Sequence, residues 1–285
     1  MTRQPIRFDD GAAYERMMGV WSQLVGQVFL DWLSPATGQR WIDVGCGNGT
    51  FTEQLIQRCA PAAAQGIDPS EAQLAFARTR PGAAGAVFLR GDAMALPFED
   101  DRFDVAVMAL VIHFVPDPAK GIGELTRVVR PGGLVAAYVW DGGRDPVEPI
   151  LTEMRTLGVT PALPPSVHAS RMQALHGLWT DARLERIETR AITVQRSFDS
   201  FDNFWQVTTA HLDLGLLAWV AAHQIGFGVL PSPGRTGTGE MRRKRTFQSI
   251  RGRVIRDGLA GHDARCGKTI ERSGAGREIS GWRVS

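Results

Sequence analysis

The sequence predicts an α/β fold in which helices cover both faces of a mostly parallel β-sheet. Short apolar segments alternate with amphipathic ones between residues 41 and 140, a pattern typical of right-handed β-α-β crossovers. The segment 103–110 is almost continuously apolar, as a parallel strand buried on both faces should be. A glycine-rich turn directly follows the first apolar segment.

The predicted elements follow one another in the order that this fold requires. A first amphipathic helix is predicted in 14–33, where apolar residues recur at spacings of three and four. The predicted strands are 41–44, 64–67, 86–90, 103–110, 134–140 and 184–194. The predicted helices that follow the first one are 50–58, 72–79, 120–129, 198–205 and 208–223.

The turn Gly45-Cys46-Gly47-Asn48-Gly49 lies between the first strand and the next helix. Ligands of parallel sheets bind outside the carboxyl ends of the strands. Glycine lets the backbone approach a ligand closely, and the first N–H groups of the helix are free to donate. Alone, such a turn fits a dinucleotide site or a plain tight turn.

Carboxylates at successive strand ends narrow the choice of ligand. Asp43 precedes the first glycine by two residues; it would repel a pyrophosphate and attract an ammonium group, such as that of a methionine moiety. Asp68 lies 19 residues beyond Gly49, a distance that fits an acceptor for ribose hydroxyls. Asp92 is placed to accept from an adenine amino group. Each carboxylate alone could be only a helix cap or a turn residue.

Five segments, 42–50, 66–70, 91–98, 103–105 and 130–133, together resemble the class I S-adenosylmethionine (SAM)-dependent methyltransferases. The resemblance is to the small-molecule group that includes the ubiquinone- and menaquinone-biosynthesis C-methyltransferases. It implies a Rossmann-like methyltransferase fold, SAM as the cofactor, a small-molecule methyl acceptor and an activity of class EC 2.1.1.-.

The resemblance also implies a role for each site residue. The methionine part of SAM would be held by Asp43, Gly45, Cys46, Gly47 and Asn48. Asp68, with Pro69 beside it, would bind the ribose, and Asp92 and Ala93 would hold the adenine. The backbone of Leu110 would lie near the sulfonium.

The segment 14–22 resembles one that covers the cofactor in a subgroup of this family. Tyr14 and Trp21 are therefore candidates for a lid over SAM, although both could equally be packing residues of a helix face. Val20 stands where that subgroup usually has arginine, which speaks against an anion-binding role there.

His113, just past the fourth strand of the predicted sheet, is the candidate catalytic base. Methyl transfer needs mainly positioning, and a base only where the nucleophile must lose a proton; His113 could also merely border the pocket. Residues 141–225 are rich in large apolar side chains, which indicates an apolar or aromatic acceptor, although core packing explains many of these side chains equally well. These side chains include Met154, Leu157, Trp179, Phe201, Phe204 and Trp205.

Composition excludes several classes of protein. The 285 residues are 44% hydrophobic and hold three cysteines, which form neither a zinc pattern nor a disulfide framework. We expect no metal site. The beginning of the chain has no apolar signal segment, and the apolar run around 214–222 is too short to span a bilayer. We therefore expect a cytoplasmic protein with no membrane partner; its oligomeric state is left open.

The segment 228–285 differs from the rest, with 13 Lys and Arg against 5 Asp and Glu. We expect a basic tail of low order; a nucleic-acid-binding arm or an altered reading frame are the alternatives. Related proteins end in a strand beside the fifth, and here only 249–255 is a weak candidate. Without that strand an inner sheet position would leave backbone groups unpaired.

The sequence thus predicts four parts: an N-terminal helical cap (1–40), a SAM-binding Rossmann-like core (41–140), an acceptor pocket or lid with the end of the sheet (141–227), and the basic tail (228–285). The predicted function is SAM-dependent methylation of a small molecule. The alternatives are a SAM-binding protein whose atypical C-terminus impairs catalysis, an NAD-dependent oxidoreductase, and an RNA methyltransferase that uses the tail. Asp43 disfavours the second alternative, and we expect no nucleic-acid partner.

Overall fold

The structure, a computed structural model, describes residues 15–141, 156, 163–209 and 241–255. Within these ranges one seven-stranded sheet has the order β3-β2-β1-β4-β5-β7-β6. The strands are β1 (Arg40–Val44), β2 (Ala63–Asp68), β3 (Ala86–Arg90), β4 (Phe103–Ala109), β5 (Val129–Trp140), β6 (Leu184–Phe198) and β7 (Met241–Val254). The first five pair in parallel, and β7 is antiparallel to both of its neighbours.

Six α-helices lie in the described part of the chain. They are α1 (Val20–Leu33), α2 (Thr50–Cys59), α3 (Glu71–Ala77), α4 (Pro118–Val128), α5 (Met172–Asp181) and α6 (Phe201–Thr209). A π-helical turn, Glu15–Gly19, precedes α1, and short 3-10 turns occupy Pro81–Ala83, Ile112–Phe114 and Val167–Ser170. Of the predicted helix 208–223, all but the first two residues lie outside the described ranges.

The helices cover both faces of the sheet, as predicted. On one face, α1 and α2 bury Phe29 and Phe51 against Tyr138 of β5, and the Phe29 and Tyr138 ring centroids are 4.8 Å apart. On the other face, α4 and α5 bury Leu125 and Trp179 against the sheet. The apolar spacing of three and four in α1 is explained by this core, because the buried apolar residues of α1 belong to the same cluster as Tyr138.

The final strand, for which the sequence offers only 249–255 as a weak candidate, is present and begins earlier than that segment. Residues 241–254, inside the predicted low-order tail, form β7, which pairs with β5 from Leu134↔Arg253 to Trp140↔Phe247. The strand also pairs with β6 along its length, so the inner sheet position is filled. The rest of the predicted tail, 228–240 and 256–285, lies outside the described residues.

Two local features of β7 hide it in the sequence. Arg251, which looks like part of a solvated basic tail, donates to the carbonyl oxygens of Trp32 (2.9 Å) and Leu33 (3.2 Å) at the end of α1. Gly252 looks like a linker residue, yet the Trp179 ring lies against its backbone. The contacts of both residues therefore suit an inner strand, although neither residue has the branched apolar side chain that is typical of such strands.

Among the described helices, none is long and apolar enough to cross a membrane.

Replacing Gly252 with alanine is expected to destabilise the fold. The added methyl group would lie 2.9 Å from Trp179 Cδ1 and 3.1 Å from Leu184 Cβ. These distances are too short, and neither an inner strand nor a buried indole ring can move away without disturbing its own packing. We expect Gly252→Ala to lower the free energy of unfolding by about 1–3 kcal/mol, measured by urea denaturation.

Gly177→Ala is the matched control, because Gly177 lies inside α5 and a Cβ there meets nothing within 4 Å. That variant should be more stable than the parent by about 0.5–1 kcal/mol. Equal stability of the Gly252→Ala variant and the parent would contradict the packing of Trp179 on β7.

Candidate functional site

A small cavity, partly open to solvent, lies at the carboxyl ends of β1 and β4. It brings together five residues predicted from the sequence and four others. The lining residues are Ser22, Asp43, Gly45, Cys46, Gly47, Asn48, Thr50, Phe51 and Ala109. The glycine turn forms one wall, and Ser22 of α1 reaches the cavity from the helix that precedes the sheet.

The glycine turn is fixed by the end of the neighbouring strand. The backbone N–H groups of Gly45 and Cys46 both donate to the carbonyl oxygen of Ile67, at 2.7 and 3.0 Å. Gly47 has a φ of 51°, which favours glycine, and a Cβ built there meets nothing within 4 Å. The turn therefore leaves open space beside the cavity that any side chain would partly fill.

Asp43 is the most unusual group of the site, because its side chain is fully buried. Its Oδ2 accepts a hydrogen bond from the Thr52 hydroxyl at 2.6 Å, whereas its Oδ1 has no partner among the described residues. Burial raises the pKa of Asp43 to about 7; the Thr52 hydrogen bond opposes this rise, and the nearby Asp68 carboxylate adds to it. A cationic group in the cavity would supply the missing partner, so the site fits an ammonium ligand.

Asp68 connects the end of β2 to the glycine turn. Its Oδ2 accepts from the Gly47 N–H and its Oδ1 from the Ser70 N–H, both at 2.9 Å. Burial raises the pKa of this carboxyl, and the two backbone hydrogen bonds counteract the rise. Because each carboxylate oxygen can accept more than one hydrogen bond, Asp68 retains capacity for hydroxyl groups. Pro69, next to it, is exposed.

The predicted adenine residues lie at the end of β3, outside the set that lines the cavity. Asp92 is exposed, and its Oδ1 accepts from the Met94 N–H at 2.8 Å. Ala93 is half-buried beside it. The two residues form part of a turn closed by the Ala95 N–H, which donates to the Asp92 carbonyl oxygen at 3.0 Å.

Leu110 and His113 follow β4 on the other side of the cavity. Leu110 has a φ of 65°, and its N–H donates to the Tyr138 carbonyl oxygen at 2.8 Å. His113 is buried, and its ring centroid lies 4.2 Å from that of Phe114. Burial lowers the pKa of His113 to about 4, so the imidazole is neutral near pH 7. It does not line the cavity.

Of the two predicted lid residues, Trp21 lies within the described part of the chain. Tyr14 lies outside the described residues. Trp21 is buried in the core cluster of α1 and does not line the cavity, which supports its reading as a packing residue. Its neighbour Ser22 is the α1 residue that reaches the site, and no local pattern distinguishes that serine.

Thr52 also escapes sequence-based prediction, although a signal for it exists. It lies in the first turn of α2, directly after the glycine turn, where a hydroxyl can face the end of β1. Cys46, which was predicted, lines the cavity, and burial together with the nearby carboxylates raises the pKa of its thiol well above the usual range. The thiol therefore stays protonated and contributes shape rather than charge.

No group of three His, Cys, Asp or Glu side chains in the described ranges is arranged to hold a metal ion.

Comparison with known proteins gives this site a context. Residues 42–137 match the family model described as a methyltransferase domain. The chain is 30% identical over 149 residues to a ubiquinone/menaquinone biosynthesis C-methyltransferase of Roseobacter denitrificans, an alignment that covers 51% of this chain and 60% of that protein. It is 37% identical over 97 residues to phthiotriol/phenolphthiotriol dimycocerosates methyltransferase 1 of Mycobacterium ulcerans, which covers 34% and 36%. The chain thus spans less than two thirds of the length of these relatives.

The fold is similar to that of a SAM-dependent methyltransferase of Thermotoga maritima, described as a possible histamine N-methyltransferase. The TM-score is 0.51 at 20% identity, and the match covers 85% of this chain and 95% of that one. At this identity the likeness concerns the fold, and it confirms the predicted Rossmann-like methyltransferase architecture with its mostly parallel sheet.

The raised pKa of Asp43 makes the stability of the ligand-free protein depend on pH. The folded-state pKa of about 7 lies above the ordinary value of 3.8, so the folded state binds more protons between these two values. The free energy of unfolding contributed by this group therefore falls as pH rises from about 4 to about 7 and then stays low. Asp43→Asn removes this loss and should make the ligand-free protein more stable than the parent at pH 8, by on the order of a few kcal/mol.

Urea unfolding of parent and variant at pH 5 and pH 8 measures the difference. Asp31→Asn serves as the control, because the Asp31 side chain is 65% exposed. An Asp43→Asn variant whose stability relative to the parent does not change with pH would show that Asp43 is not a strained buried carboxyl.

Proposed function

We propose that this chain, whose residues 42–137 match a methyltransferase domain, transfers the methyl group of SAM to a small apolar or aromatic molecule. The observation that carries the proposal is the buried Asp43 carboxylate, with one oxygen unpartnered within the described structure, at the end of β1. The family match and the SAM-dependent structural neighbour support SAM as the cofactor.

The residues of the cavity fit the methionine part of SAM. Asp43 Oδ1 would accept from the ammonium group, and the open space at Gly47 would let the backbone approach the ligand. Asp68 would accept from the ribose hydroxyls, with Pro69 beside it. At the end of β3, Asp92 and Ala93 would hold the adenine.

Bound SAM supplies an electrophilic methyl group, so the chain itself must mainly position the acceptor and exclude water. Leu110, in its left-handed conformation after β4, would present its backbone toward the reacting centre. We propose His113 as the base for an acceptor that must lose a proton, because burial keeps its imidazole unprotonated near pH 7 and its Nδ1 has no hydrogen-bond partner among the described residues.

The acceptor is proposed to be apolar or aromatic, but two of the large side chains that indicate this, Trp179 and Phe204, are packed against the protein itself. Trp179, which the sequence pattern places with the acceptor pocket, is a core residue: its side chain is fully buried and its Nε1 donates to the Val135 carbonyl oxygen at 3.2 Å. Phe204 packs edge-on against Phe198, with 5.2 Å between centroids. Met154 and Leu157 lie outside the described residues, as do the side chains of Phe201 and Trp205.

The alternative functions lose support. A SAM-binding protein impaired by a missing strand lacks its premise, because β7 is paired on both sides. Within the basic segment, Arg251 and Arg253 donate to backbone carbonyl oxygens of the protein itself, so these two arginines serve the fold. A carboxylate at Asp43 would repel the pyrophosphate of NAD.

Two measurements test the proposal. Calorimetry with SAM and with NAD should show binding of SAM, and a preference for NAD would refute the proposal. Transfer of label from methyl-labelled SAM into a pool of small apolar and aromatic metabolites, with an RNA pool in parallel, should yield labelled small molecules. Label in RNA alone would instead favour an RNA methyltransferase.

Asp68→Ala is expected to weaken SAM binding by about 1.5–3 kcal/mol, the usual cost of losing a charged hydrogen-bond acceptor. The measurement is the Kd for SAM by calorimetry. Asp117→Ala is the matched control, because Asp117 also accepts from a backbone N–H at a helix N-terminus, that of Lys120 at 3.0 Å. It should cost about 1 kcal/mol of stability and leave the Kd unchanged; unchanged affinity in the Asp68 variant would refute the ribose assignment.

His113→Gln is expected to lower kcat by about 10²-fold or more if His113 is the base, while the Kd for SAM stays at the parental value. With a pKa of about 4, the parent should keep a constant kcat between about pH 6 and pH 8 and lose activity as pH falls toward 4, where the imidazole is protonated. A parental kcat in the His113→Gln variant would leave His113 as a packing residue.

A further inference from the structure

Glu15, in the turn before α1, reaches the glycine turn with its carboxylate. Its Oε2 accepts hydrogen bonds from Asn48 Nδ2 at 2.7 Å and from Thr50 Oγ1 at 2.8 Å. The same oxygen accepts from Arg80 Nη2. A carboxylate that precedes the sheet in the chain is thus held by three donors that belong to the site or adjoin it.

Arg80, which follows α3, binds the same turn and also contacts Glu15. Its Nε donates to the Asn48 carbonyl oxygen at 2.5 Å, and its Nη1 donates to Glu53 Oε2 at 2.9 Å. Its Nη2 also donates to Thr50 Oγ1 at 2.7 Å. The forked guanidinium therefore makes contacts that a lysine ammonium could not reproduce.

Two of these partners are cavity residues. Asn48 and Thr50 both line the cavity, and Asn48 Oδ1 accepts from the Thr50 N–H at 3.3 Å. The Asn48 amide is thus fixed at its nitrogen by Glu15 and at its oxygen by Thr50. Ser22 lines the same cavity from α1, so the segment 15–22 is attached to the site at its beginning and borders the site at its end.

We propose that Glu15 and Arg80 are positioning residues that clasp the segment 15–22 onto the glycine turn and so slow the release of the cofactor. This inference rests on the proposed function, because the cofactor is SAM. The Glu15–Arg80 pair is set apart from an ordinary surface ion pair by its burial, since the two side chains are only 28% and 11% exposed. Removing one partner leaves the charge of the other poorly solvated.

A second ion pair joins α1 to α2 and provides a comparison. Asp31 of α1 and Arg58 of α2 form a pair whose side chains are 65% and 41% exposed. Such a pair contributes little to stability, and neither residue lines the cavity. Both ion pairs therefore join separate segments of the chain, but only Glu15 and Arg80 contact residues that line the cavity.

The test measures the dissociation rate of labelled SAM from the full-length protein, chased with excess unlabelled SAM. We expect Glu15→Gln and Arg80→Gln each to release SAM about three- to tenfold faster, which is less than the loss of a charged hydrogen bond to the ligand itself would give, because neither residue lines the cavity. The double variant should release SAM no faster than the more affected single variant, because both substitutions break one clasp. The KM for SAM should rise while kcat at saturation stays within about twofold, and Asp31→Asn should match the parent in every measurement.

The possible results separate this inference from the proposed function. If the parent does not bind SAM, both fail. If the parent binds SAM but Glu15→Gln and Arg80→Gln release it at the parental rate, only the clasp is refuted, as it also is if their effects simply add. If Arg80→Gln does not fold, Arg80→Lys takes its place beside Glu15→Gln. Faster release of SAM from both variants supports the clasp, and release at the parental rate overturns it.

Discussion

Strand β5 must be paired along both edges, and this constraint organises the rest of the molecule. On one side it continues the parallel sheet through β4, and on the other it pairs with β7. Tyr138 lies near the carboxyl end of β5: its ring packs against Phe29 and Phe51, and its carbonyl oxygen accepts the Leu110 N–H. The position of β5 therefore fixes α1 on one face of the sheet and the end of β4, beside the cavity, in the plane of the sheet.

The buried carboxyl group of the ligand site lowers the stability of the ligand-free protein. Asp43 is taken out of water with one oxygen unpartnered in the described structure, which favours its neutral form until a cation arrives. Asp68 instead accepts hydrogen bonds from the backbone N–H groups of Gly47 and Ser70. Asp68 thus stabilises the turn, whereas Asp43 Oδ1 is available to a ligand. The free energy of ligand binding can therefore offset the cost of burying the Asp43 carboxylate.

How far sequence predicts this molecule depends on how local each signal is. Asp43 and the turn Gly45–Gly49 are predictable because strand, turn and helix are contiguous, and a parallel sheet places their junction at the ligand edge. Strand β7 gives only a weak signal, in 249–255. Arg251 and Gly252 acquire their roles in the strand only through their contacts with α1 and Trp179. The Glu15–Arg80 contact joins residues 65 positions apart, and no spacing rule predicts it. Trp179 shows the reverse error, since a large aromatic residue indicates a pocket and a core equally well.

Arg251 links the two ends of the described chain, because it supplies donors to the last carbonyl oxygens of α1 across a separation of 219 residues. Helix α1 is thus synthesised early but is completed by a residue made much later. At a translation rate of about 5–20 residues per second, this interval is roughly 10–45 s. During that time the growing chain carries an α1 whose final carbonyl groups lack this partner and a β5 whose edge lacks β7, and an unpaired strand edge of this kind can pair with another chain.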